Sequence, residues 1–202
     1  MLTSLGLLVL AAASILGSPG PAPLSLAATG ASAGLRGGLP YLSGLVLAIA
    51  ADCAMVALGL GALISSGGPV TIVLLAFSIT YIVYIAWKIA AAPLLVDAGA
   101  PERVPSFRDG LILNLTNPKA YAAIAAVYAG FPLPIEDRVL QLVSIGVATV
   151  LVALVVDFAW LAAGSTLAGL FRHPRWARPL RVIFAALMLA AVGLSLAKLL
   201  GA

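Results

Sequence analysis

The chain has 202 residues, 63% of them hydrophobic and only 9% charged, with a mean hydropathy of +1.17. A soluble domain carries about 45–50% apolar and about 25% charged residues, so a soluble globular domain and a disordered chain are both excluded. A single cysteine, Cys53, excludes a disulfide scaffold. The net charge of +4 comes from 11 Lys/Arg against 7 Asp/Glu, lying singly or in one short cluster. They form no basic stripe with interleaved aromatics, so no nucleic-acid partner is expected. The expected partner is the lipid bilayer.

A hydrocarbon core about 30 Å thick needs roughly 20 predominantly apolar residues per helix. Six stretches satisfy this in chain order: Leu2–Ala28, Leu39–Ile64, Val70–Ala92, Gly110–Gly130, Leu140–Leu170 and Leu180–Leu200. Breaker or charge clusters separate them, at Gly34 to Gly38, Ser65 to Pro69, Pro93 to Asp109, Phe131 to Arg138 and Arg172 to Pro179. No stretch alternates as a membrane strand does, so the expected fold is an all-α polytopic membrane protein with six transmembrane helices. The first stretch has no Lys or Arg before its apolar run and stays apolar beyond any small-residue cleavage site. It is expected to be retained as a helix, not removed as a signal peptide.

Lys and Arg set the orientation. Arg36, Lys88, Arg103, Arg108, Arg172, Arg175, Arg178 and Arg181 fall on one face, and Arg138 and Lys198 on the other. The first face is therefore expected in the cytoplasm, with both termini outside. The segment around His173 and Trp176 reads as a basic cytoplasmic loop with an interfacial tryptophan. His173 is the single histidine, so no histidine-based metal cluster or catalytic triad is expected, and no cofactor.

The six stretches divide three and three, about 1–92 and 110–202, around a cytoplasmic linker of about 93–109. The halves share landmarks. Stretch one is interrupted by Gly17-Ser18-Pro19-Gly20-Pro21-Ala22-Pro23 and stretch four by Asn117-Pro118-Lys119. Stretch two then carries Asp52 and stretch five Asp157. Three crossings per copy must point the copies in opposite directions, so the pattern predicts two inverted three-helix repeats with broken helices 1 and 4.

Proline supplies no backbone donor, and glycine weakens a helix. Such a break survives in lipid only where its freed backbone groups are buried in protein or line a wet cavity. Ser18-Pro19 and Asn117-Pro118 each read as an N-cap followed by proline at the first helical position. Each would restart a half-helix whose positive dipole end suits a carboxylate; the alternative is an ordinary proline kink. An acid at a helix centre costs roughly 2.5–3.5 kcal/mol on insertion scales, so Asp52 and Asp157 are expected to face a cavity or a partner. In stretch two, Gly44, Ala48, Ala51, Asp52, Met55 and Gly59 share one helical stripe, and in stretch five Ala153, Asp157 and Gly164 do. Lys119 could bind a substrate carboxylate, neutralise an Asp, or snorkel. Asn114 and Asn117 are candidate hydrogen-bond partners of backbone or ligand. The aromatic residues, Tyr121 and Tyr128 among them, read as interfacial belts or packing, with Trp160 of further interest one turn beyond Asp157.

At these residues the chain resembles the LysE/RhtB family of bacterial amino-acid exporters. The resemblance rests on Ser18-Pro19-Gly20-Pro21, on Phe107-Arg108-Asp109-Gly110 leading to Asn114-Leu115-Thr116-Asn117-Pro118-Lys119-Ala120, and on Asp157-Phe158-Ala159-Trp160. It implies export of amino acids or related metabolites from the cytoplasm across a bacterial inner membrane, driven by the proton gradient. Where the family often continues Pro-Gly-Pro with Asn, this chain has Ala22, which removes one polar contact to a substrate.

The expected function is therefore proton-coupled export of a small zwitterionic solute. Ser18, Pro19, Gly20, Pro21, Ala22, Asn114, Asn117, Pro118 and Lys119 are the expected substrate-binding residues. Asp52 and Asp157 are expected to bind the substrate ammonium or the exchanged proton. The alternatives are a metal or inorganic-ion exporter, or a membrane accessory subunit. Enzyme chemistry is disfavoured: Cys53 has no partner for thiol–disulfide transfer, and no glycine-rich stretch carries the lysine of a phosphate loop. Whether copies of the chain associate is left open.

Overall fold

In a computed structural model, residues 1–59 and 104–166 are described continuously, with isolated helical positions at 80, 83–84, 87, 178–179, 182–183, 185–187 and 189–190. The stretches expected at Val70–Ala92 and Leu180–Leu200, and the linker before residue 104, lie essentially outside the described residues. The regular structure among the described residues is helical, with no strand among them.

Helix α1, Leu2–Gly17, ends at Ser18, whose backbone is extended at φ −63° and ψ 143°. Pro19 imposes that conformation by excluding the helical region from the residue before it. The same rule acts again at Gly20, extended at φ −174° and ψ −178° before Pro21, so helix cannot resume until Pro21. Helix α2, Pro21–Ala57, therefore has Gly20 as its N-cap and Pro21 in its first turn. This corrects the expectation that Ser18 caps the restarted helix with Pro19 at its first position.

Helix α2 is two arms. Gly34 adopts φ +72° and ψ 178°, outside helical geometry and in a region where L side chains are strained. The chain reverses there: the hydroxyls of Ser25 and Tyr41 lie 2.7 Å apart, whereas sixteen residues of straight helix would separate them by about 24 Å. The expected breaker run of Gly34 to Gly38 thus shrinks to Gly34 alone. The first arm continues past Ala28, and the second starts before Leu39. It also stops at Ala57, earlier than the expected Ile64, with Gly59 at φ +81° just beyond.

Helix α3, Phe107–Leu115, starts three residues before the expected Gly110. The cause is a reciprocal cap: Ser106 Oγ accepts from the Asp109 N–H, and the Asp109 carboxylate accepts from the Ser106 N–H at 2.7 Å. Helix α4, Pro118–Gly130, follows the second break with Asn117 as its N-cap. Helix α5, Arg138–Thr166, is continuous.

Two close crossings hold these helices together. A Cβ on Gly30 would strike the Leu161 carbonyl, and one on Gly164 the Ala27 carbonyl, so the first arm of α2 and α5 meet backbone to backbone. The second arm meets α3 in the same way, through Gly44 against the Phe107 carbonyl and Gly110 against the Tyr41 carbonyl. Small residues permit this approach, the usual means of helix association where lipid removes the hydrophobic drive.

Helix α5 turns one stripe of small and polar residues inside. Gly146, Thr149, Ala153, Asp157 and Gly164 are buried, while Val143, Val147, Leu151, Val155 and Phe158 face outward. That distribution suits a lipid surround. By length and hydropathy α5 is capable of crossing a membrane, and of the two arms of α2 only the second, residues 35–57, is long enough to do so.

Candidate functional site

The second break is built locally. Thr116 ends α3 with its N–H bonded to the Ile112 carbonyl at 3.1 Å, and its hydroxyl bonds the same carbonyl at 2.8 Å. Asn117 then starts α4: its Oδ1 accepts from the Lys119 N–H at 3.1 Å, and its main-chain carbonyl accepts from the Ala120 N–H at 3.0 Å. Pro118 has no N–H to satisfy. The α4 N-terminus is consequently occupied by its own cap.

The first break lacks such a cap. Ser18 turns its hydroxyl back onto the Ile15 carbonyl at 2.7 Å, and Gly20 has no side chain. Pro21 and Pro23 carry no backbone donor, and the Leu24 N–H bonds the Gly20 carbonyl at 3.0 Å. Among residues 21–24, that leaves the N–H of Ala22, a buried residue. The exposed carbonyls of this break are taken by other helices. Lys119 Nζ donates to the Ser18 carbonyl at 2.6 Å and the Pro19 carbonyl at 3.1 Å, and Trp160 Nε1 donates to the Gly17 carbonyl at 3.2 Å. The Lys119 cation therefore stands at the negative end of the α1 dipole. Gly20 makes room for it, because a Cβ there would lie 2.7 Å from Lys119 Nζ.

The two acids lie beside this knot, both buried: Asp52 is 0% exposed and Asp157 4%. Asp52, on the second arm of α2, accepts from Asn114 Nδ2 on α3 at 2.9 Å through Oδ2. The Tyr121 hydroxyl neighbours the Asp52 carboxyl but spends its proton on the Leu115 carbonyl at 2.9 Å. Asp52 Oδ1 is left without a hydrogen-bond partner among the described residues. Asp157, on α5, interacts through space with Lys119, although the two make no direct ion pair. Its Oδ2 is likewise unpartnered among the described residues. Buried polar atoms normally find partners. Two orphaned carboxylate oxygens beside two helix breaks are what an incoming polar solute or proton would satisfy.

All eleven residues singled out from the sequence lie at or beside the two breaks, in different capacities. Lys119 bridges the breaks. Asn114 holds Asp52. Asn117 and Ser18 serve the local backbone, and Pro19, Gly20, Pro21 and Pro118 shape the interruptions. Ala22 contributes its N–H alone. Tyr121, read from the sequence as belt or packing, lies instead at the acid. Its position three residues after Pro118, on the same helix as Lys119, was the available signal. Tyr128, classed with it, donates to the Leu142 carbonyl at 3.3 Å and packs beside Cys53 and Ile49.

The LysE type translocator family matches residues 13–199, nearly the whole chain. The chain belongs to the LysE type translocator family. This makes it a membrane transporter of an amino-acid and metabolite efflux family, not an enzyme. Relatives of this translocator include the homoserine/homoserine lactone efflux protein of Salmonella typhimurium, 28% identical over 182 residues and 85% of each chain. The cysteine/O-acetylserine efflux protein of Escherichia coli K12 is 26% identical over 175 residues, 85% of this chain and 86% of that protein. An uncharacterized membrane protein of Vibrio cholerae is 26% identical over 162 residues, 78% of each chain. No solved structure matches the translocator.

Proposed function

We propose that the chain exports a small, net-neutral amino acid or close derivative from the cytoplasm across a bacterial inner membrane, in exchange for protons. The observation that carries this reading is the convergence of both helix breaks and both buried acids, joined by the Lys119 bridge to the Ser18 and Pro19 carbonyls. Backbone interruption at membrane depth is tolerated only against protein or a wet cavity, and intramembrane acids commonly mark solute or proton pathways. Homoserine and cysteine, named in the relatives above, are zwitterions with the pair of charges this centre would suit.

In this reading the chain spans the membrane six times as two inverted repeats, about 1–92 and 110–202, with both termini outside. The substrate carboxylate is drawn to Lys119 and the Ala22 N–H near the first break. The capped α4 N-terminus contributes through Lys119, not through open backbone donors. Asp52 and Asp157 take the substrate ammonium or the exchanged proton, and the halves rock to expose the centre to either side.

The test is an efflux screen. Cells expressing the chain are loaded with amino acids from dipeptides, and external and internal pools are followed. Expression should speed the loss of one or a few net-neutral amino acids, and collapsing the proton gradient should abolish that gain. Efflux rates unchanged across the panel, homoserine and cysteine included, would overturn the proposal.

A further inference from the structure

Building on the exporter reading above, we infer that the two buried acids have separate tasks. Asp52 takes and releases the transported proton, whereas Asp157 and Lys119 together receive the zwitterion, Asp157 its ammonium and Lys119 its carboxylate.

The distinction comes from what surrounds each acid. Around Asp52 stand Cys53 on its own helix, Asn114 on α3 and Tyr121 on α4, with Tyr128 of α4 and Ala153 of α5 beyond Cys53. Among the described residues, none of these neighbours carries a positive charge. A carboxylate buried without a counter-charge is strongly disfavoured. Asp52 can therefore be ionised only when movement of α2 against α3 admits water or another group to its unpartnered Oδ1. Charge on Asp52 is thereby tied to exposure, the property a proton carrier in an alternating site requires.

Asp157 has a cation in its field. Lys119 spends two of its three donors on the Ser18 and Pro19 carbonyls. It does not pair directly with Asp157, whose Oδ2 has no hydrogen-bond partner among the described residues. Lys119 thus offers a positively charged donor and Asp157 a negatively charged acceptor, with no direct bond between them. An α-amino acid carries the complementary pair on a single carbon. Bound there, a zwitterion would leave neither protein charge uncompensated, whereas a diamine or a dicarboxylate would bring an excess charge into a buried centre. The arrangement therefore selects net-neutral amino acids.

The test uses the full chain reconstituted in liposomes, with L-homoserine as probe and infrared spectroscopy as an independent readout. The infrared spectrum of the unmodified protein should show a protonated carboxylic-acid band that persists in Asp157→Asn and disappears in Asp52→Asn. Asp52→Asn should slow the exchange of internal for external homoserine without a pH gradient less than it slows accumulation. Its accumulation driven by a pH gradient should fall at least about tenfold. Asp157→Asn and Lys119→Met should lose both exchange and accumulation. Loss of exchange in Asp52→Asn equal to its loss of accumulation, or disappearance of the infrared band in Asp157→Asn, would overturn the division. Failure of the unmodified protein to move homoserine in either assay would count against the exporter reading for that solute, while the infrared band would still decide which acid holds the proton.

Discussion

The two helix breaks reach the same end by different means. The break at Thr116 and Asn117 is self-contained, with its donors and acceptors matched between Ile112 and Lys119 by the Thr116 hydroxyl and the Asn117 side chain, and with Pro118 bringing no donor. The break at Ser18 to Gly20 is enforced by two prolines, Pro19 and Pro21, but left uncapped, and distant helices complete it through Lys119 and Trp160. A locally capped break can form before its neighbours arrive. A break completed by distant side chains has its shape only while the helices around it are in place, so it can register their movement.

The largest expected effect comes from abolishing the packing that brings both breaks together. Gly164→Leu puts a side chain into the Ala27 carbonyl at the α2–α5 crossing. It should yield aggregated protein by size-exclusion chromatography in detergent, whereas Gly130→Leu, at a position with open space around it, should elute as the unmodified protein does. Next in size is Lys119→Met, which strips the charged donor from two carbonyls of the first break. At about 1.5–3 kcal/mol for a charged hydrogen bond, the midpoint of thermal unfolding should drop by several degrees. Amide exchange should speed around residues 18–22 and stay unchanged around 114–117. Lys119→Arg should restore part of that protection.

Asn117→Ala reverses the pattern. Losing the N-cap costs about 1 kcal/mol, and faster amide exchange should be confined to the first turn of α4. If residues 18–22 were also affected, the second break would not be self-contained. The smallest effect is expected for Trp160→Phe, which keeps the ring packing but removes one neutral hydrogen bond to Gly17, about 0.5–1.5 kcal/mol. It should lower the unfolding midpoint less than Lys119→Met and add to it in the double variant less than the sum, because both act on the same break.

Much of the site was legible in the sequence because its rarest features lie on an apolar background. Pro19, Pro21 and Pro118 stand out in stretches otherwise able to be continuous helix, and Asp52 and Asp157 are conspicuous where charge is costly. The helix limits near them were less legible. Which proline restarts α2 depends on two successive pre-proline restrictions, and the turn at Gly34 was hidden among neighbouring glycines that prove to be helical. Tyr121 carries no local mark separating an aromatic that packs in a belt from one beside a buried acid.

Composition and the order of apolar stretches alone determined that this is a helical chain built for lipid, interrupted twice, with two acids that require company. Those properties follow from local chemistry: the donor missing from proline, and the cost of placing charge in hydrocarbon. Only the tertiary structure decided which groups keep company. Lys119 meets carbonyls about a hundred residues away, Asn114 meets Asp52, and Trp160 meets Gly17. The Asn114–Asp52 pairing follows from the glycine crossing of α2 and α3, where backbone contact fixes how far each helix slides and turns against the next, and no local pattern specifies any of these alignments.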